Sequence, residues 1–125
     1  MIKMIKTLFE KPKAEDVKAL DFAHIDSKEK ALAAAKNGEL FPILLFPKIF
    51  GGEEVDVNTV YVPPGIPEIQ NQLLGTLARF VEQGLVDQLQ VNPEYKGTSF
   101  IPSKIQMRTS KEGTEGQFNP TIEIW

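Results

Sequence analysis

No cysteine occurs in the chain, which excludes a disulfide scaffold, a thiol nucleophile and any thiolate metal centre. Histidine is nearly absent as well. His24 stands alone, so no site built on two imidazoles can form. Long apolar runs are also missing. The longest, Phe41 to Phe46, is interrupted by Pro42 and followed by Pro47, far short of the roughly 20 residues a membrane-spanning helix needs. The opening stretch Met1 to Phe9 carries lysines but no continuous apolar core or small-residue cleavage site, so no secretory leader is expected. A soluble, cytoplasmic protein is the expectation. Catalytic signatures are absent too: there is no Gly-x-Ser-x-Gly elbow, His-Glu-x-x-His pair, phosphate-binding loop or dinucleotide fingerprint, and no cofactor is called for.

What remains suits one folded body. A chain of 125 residues, 42% hydrophobic and 25% charged, buries about two-thirds of its unfolded surface, enough for a core without disulfides or a structural metal. No fixed-period repeat or interdomain linker interrupts it, so residues 1–125 read as a single domain.

Periodicity predicts the elements. A short helix between Leu8 and Ala23 has a Val17, Leu20, Ala23 stripe, with Pro12 limiting its start. Asp26-Ser27-Lys28-Glu29 resembles a capping box, and the alanines of 31–35 carry a second helix over 27–37 to a stop at Asn37-Gly38. Ile43 to Phe50 and Val55 to Val62 predict a hairpin turning at Gly51-Gly52, with Pro42 and Pro47 marking a sheet edge; the valine pattern implies either a bulge near Asn58, the favoured reading, or burial of both faces beyond it. The punctuation is clearest for a long amphipathic helix over 66–84. Pro67 and Glu68 suit its start, Gly84 suits its stop, and Ile69, Leu73, Leu77, Phe80 and Val81 form its apolar stripe. Beyond it the pattern predicts a strand over 85–91 and a turn at Asn92-Pro93. A strand near Phe100 to Thr109, a mobile loop over 110–116 and a last strand over 121–125 follow. The fold class expected is α+β: a mainly antiparallel sheet of four to six strands packed against the long helix and the alanine-rich one.

Candidate chemistry is sparse. Glu53, Glu54 and Asp56 form the sharpest carboxylate cluster, and strand alternation puts Glu54 and Asp56 on one face. They raise the possibility of a divalent cation, but the spacing lacks the pattern of a calcium loop and a solvated hairpin face accounts for it, so no metal site is assigned. Tyr95, in the Asn92 to Gly97 stretch, is a candidate binding anchor, with packing over the sheet as the plainer role. His24 reads as a hydrogen-bonded loop residue rather than a base.

Charge is distributed unevenly. Residues 1–36 carry +2, residues 37–95 carry −6 and residues 96–125 carry +1, giving the net −3. An acidic middle repels nucleic acid and steers a basic partner, although the same charge serves plain solubility. The function expected is therefore a non-enzymatic protein-binding module whose acidic surface (Glu53, Glu54, Asp56, with Tyr95) meets a basic protein, in the way a toxin-neutralising immunity protein does. Membranes and nucleic acids are not expected partners. Two alternatives stand beside it: a small metal-assisted hydrolase using the hairpin carboxylates with His24, and a homodimer covering the edge at Pro42 and Pro47.

Overall fold

The computed structural model describes residues 21–125, so the helix expected between Leu8 and Ala23 falls almost wholly outside it. The first described helix, α1 (Lys28–Lys36), starts one residue later than the capping-box reading implies. Ser27 is the cap, its hydroxyl accepting from the Lys30 amide at 3.2 Å, while the Asp26 carboxylate takes the Lys30 ammonium at 2.8 Å. Gly38, at φ +78°, ends the helix through bonds from the Gly38 and Glu39 amides to the Ala35 and Ala34 carbonyls. Small buried Ala31 and Ala34 let α1 lie close to the strands beneath it.

The expected hairpin forms, but not with a glycine turn. β1 (Phe41–Leu44) pairs antiparallel with β2 (Thr59–Val62), and the intervening residues 45–58 form a long excursion with two 3-10 turns, Lys48–Phe50 and Asp56–Asn58. No bulge is needed near Asn58, because β2 is buried on both faces. Val60 and Val62 enter one apolar cluster with Ile66 and Ile105, and Tyr61 enters a second with Ala31, Ala34 and Ile101. A single strand thus wedges between the two parts of the core.

The long helix, α2 (Ile66–Glu82), follows Gly65 at φ +94° and ends at Gly84 at φ +75°, where the Leu85 and Gly84 amides bond the Phe80 and Val81 carbonyls. Its buried line is Ile66, Gln70 and Leu77, with Leu73 packed against the first cluster. This is rotated from the expected stripe: Ile69 is 43% exposed and Val81 is exposed with it, at the margins of the contact. A polar residue in the buried line has a definite task. The Gln70 amide Nε2 donates to the Leu44 carbonyl at 2.8 Å and closes the outer side of β1.

The second sheet is centred on β4 (Pro102–Lys111). It pairs with β3 (Gln88–Tyr95) on one side and with β5 (Thr114–Glu115) and β6 (Thr121–Glu123) on the other, all antiparallel. β3 runs through the expected turn at Asn92-Pro93, because an edge strand tolerates a residue without an amide donor. The segment expected to be a mobile loop is a tight hairpin instead. Lys111 pairs with Thr114 across Glu112 and Gly113, both at positive φ (52° and 82°), the signature of a two-residue turn matched to strand twist. Ile122 and Ile124 are buried as the alternation predicts, and Trp125 is pinned by a 3.1 Å bond from Nε1 to the Ile101 carbonyl. The described residues form one α+β domain of two helices and six strands, divided between a two-stranded and a four-stranded sheet.

Candidate functional site: the 45–58 loop

Long excursions within a hairpin are held open by water unless their own side chains fill them, and this one is filled. The Leu45 amide donates to the Asn58 carbonyl at 2.8 Å, bringing the ends of the loop together. Asn58 then reaches inward with both atoms of its amide. Oδ1 accepts from the Phe46 N–H at 2.8 Å, and Nδ2 donates to the Phe46 and Glu53 carbonyls, each at 3.0 Å. Thr59 Oγ1 donates to the Val55 carbonyl at 2.9 Å, and the Phe46 and Phe50 rings meet edge to face.

The adjacent glycines serve different ends. Gly51 adopts φ +94° to leave the first 3-10 turn. Gly52 lies against the chain crossing beneath it, where a Cβ would stand 1.8 Å from the Phe46 carbonyl oxygen. Neither makes the turn of a short hairpin; both make the loop compact.

A frame this well bonded leaves its aliphatic side chains outside. Val57 is 90% exposed, Ile49 57% and Val55 44%. Glu53, Glu54 and Asp56 share the same loop, so the structure brings those three candidates together. It does not place Glu54 and Asp56 on one face of a strand, because β2 begins only at Thr59. Lysines answer two of the three. Lys48 pairs with Glu54, and Lys28, from the start of α1, pairs with Asp56. Hydrogen bonding and charge from Lys48 hold the Glu54 carboxyl below its usual range, and Asp56 raises the Lys28 ammonium in the same way. The acidity of the middle segment is therefore partly offset by a basic residue folded in from the amino-terminal segment.

Clefts flank the loop. One, of about 360 Å³, lies between it and β1 and is lined by Pro42, Ile43, Leu44, Glu54, Val55, Asp56 and Thr59. The other, of about 200 Å³, is lined by Lys28, Asp56, Val57, Thr59, Tyr61 and Phe100. Asp56 and Thr59 are common to both. Among the described residues, no group of three or more histidine, aspartate or glutamate side chains is arranged to hold a metal ion.

Tyr95 stands apart from this loop. It ends β3 opposite Pro102, past a register shift at Glu94, with 46% of its surface exposed and its phenol raised by partial burial. It lines neither cleft. His24 is exposed in the turn before α1, where the Ile25 amide bonds the Phe22 carbonyl at 3.1 Å.

The residues missed by sequence reasoning are Val57, Ile49 and Asn58. Alternation assigns Val57 to a half-buried strand, whereas it lies exposed in the 3-10 turn Asp56–Asn58, beside an Asn58 clamp that no periodicity reveals. Among the described residues no helix is long and apolar enough to cross a membrane. No family model matches the chain, and neither does any curated protein or solved structure.

Proposed function

We propose that the protein is a non-enzymatic binding module that presents the 45–58 loop to a protein partner with a basic surface. One observation carries this reading: a loop clamped from within by Asn58 holds Val57 almost fully exposed. An exposed aliphatic on a floppy loop turns inward at little cost, whereas this frame prevents it from doing so. Preorganisation of this kind lowers the ordering cost of association. Glu53, Glu54 and Asp56 around the aliphatic residues supply the charge selection, and the ammonium groups of Lys28 and Lys48 occupy positions that a partner's lysine or arginine can share.

Affinity capture with the wild type, Val57→Asp and a Glu54→Lys/Asp56→Lys double variant, each at low and high ionic strength, tests it. The partner retained by the wild type is basic, is lost with Val57→Asp at both ionic strengths, and is weakened by salt or by charge reversal. A partner retained equally by all three proteins and insensitive to salt overturns the reading.

A further inference from the structure

We propose that two copies of the chain associate through β3, forming an antiparallel strand pair across a two-fold axis at Gln90 and joining their four-stranded sheets. The argument is independent of the 45–58 loop. It begins with the direction of the backbone groups. Residues opposite one another in an antiparallel pair alternate between those that exchange hydrogen bonds and those whose amide and carbonyl both face away. Val91 lies opposite Met107, and the Met107 amide is directed away from β3, donating to the Pro120 carbonyl at 2.9 Å. Leu89 lies opposite Thr109, whose amide and carbonyl are likewise directed away, to Asn119 Oδ1 and from the Gly116 amide, each at 2.8 Å. The amides and carbonyls of Leu89 and Val91 therefore point outward from the sheet. Pro93, of the same parity, has no donor to offer. Among the described residues nothing pairs with this side of β3.

An eight-residue edge of this kind is ordinarily guarded by charge, proline or a bulge. β3 carries such guards at one end only: Pro93, and the register shift between Glu94 and Tyr95. The stretch Gln88 to Asn92 has neither charge nor proline, and its outward-facing side chains, Gln88, Gln90 and Asn92, are all exposed amides.

A two-fold axis at Gln90 sets Leu89 against the partner's Val91 and Val91 against the partner's Leu89. The outward amides and carbonyls of Leu89 and Val91 in each chain are then all matched, and the Pro93 carbonyl lies beyond the paired stretch. Gln88 faces the partner's Asn92, Gln90 faces its own copy, and no acidic residue faces another, since Glu94 lies opposite the partner's Val86. Shifting the axis to Val91 forms as many backbone bonds but sets the Pro93 ring, in place of an amide proton, against the partner's Leu89 carbonyl, so the bulk of proline favours the axis at Gln90. Five residues from each chain make a small interface, and the association is concentration-dependent rather than obligate.

Sedimentation equilibrium across a concentration series, combined with hydrogen exchange at the Leu89 and Val91 amides, tests the proposal. The wild type moves from 14.0 kDa toward twice that mass as concentration rises, and exchange at those two amides slows in step. Leu89→Pro removes the outward donor without taking a bond from the β3–β4 ladder, though it also replaces a half-buried side chain, and Gln90→Lys brings two ammonium groups together at the axis; both remain at monomer mass with wild-type circular dichroism. Should Leu89→Pro misfold, Gln90→Lys at the exposed position still decides. A wild type that stays at monomer mass, a dimer unaffected by Gln90→Lys, or protection of the two amides that does not change with concentration overturns the proposal.

Discussion

Asn58 binds both backbone groups of Phe46, accepting from its amide at 2.8 Å and donating to its carbonyl at 3.0 Å, twelve residues away across the base of the loop. One side chain thereby substitutes for a rung of strand pairing where the hairpin has opened. Asn58→Asp keeps the size but loses both donations from Nδ2 and sets a carboxylate against carbonyl oxygens. A loss of about 1–3 kcal/mol in stability is expected, with Asn58→Ala in the same direction. Chemical denaturation measures the loss, and faster exchange confined to residues 45–58 locates it.

Gly52 and Gly51 separate close packing from backbone strain. Gly52→Ala pushes a methyl group into the Phe46 carbonyl, a backbone atom that cannot swing away, so the loop must open and the melting temperature must fall. Gly51→Ala meets no neighbouring atom and carries only the positive-φ penalty, on the order of 1 kcal/mol. Thermal melts of the two variants should rank Gly52→Ala as the more damaging.

The lysine pairs around the loop set the sign of its pH response. Glu54 is held below its usual range, so its contribution is present above the ordinary carboxylate value and is lost as pH falls through the lowered one. Lys28 is raised, so its contribution is present below the ordinary lysine value and is lost as pH rises through the raised one. Both pairs are solvent-exposed and sensitive to salt. Melts of wild type and Lys48→Met should differ at neutral pH and converge in acid. A difference that persists there contradicts the Glu54 assignment.

Along α2, Leu77 is fully buried and Ile69 is 43% exposed. Leu77→Ala is expected to cost about 2–5 kcal/mol, and Leu77→Asp to unfold the domain. Ile69→Ala should cost much less. Equal losses from Leu77→Ala and Ile69→Ala would indicate that the helix is rotated from the position described.

The sequence revealed those parts of the fold whose signals are local. Gly38 and Gly84 stop their helices because only a left-handed residue frees the chain there, and the buried Ile122 and Ile124 follow from alternation of period two. Local signals mislead where a distant residue decides. Val55 to Val62 looks like one strand, but Asn58 bonding back to Phe46 halves it. Asn92-Pro93 looks like a turn, but β4 alongside holds both residues extended in β3. At the loop, Glu53, Glu54 and Asp56 were visible as a run of carboxylates. Their pairing with Lys28 and Lys48, and the exposure of Val57, depend on tertiary geometry that no window of sequence contains.

Backbone 15N relaxation across residues 45–58 of the free protein reads the preformed loop most directly. Order parameters at Val55, Asp56 and Val57 near the rigid-backbone value of about 0.85, matching β2, are the expected result. Values below about 0.6 there, with β2 still rigid, would show that nothing holds Val57 outward and would contradict a preorganised binding surface.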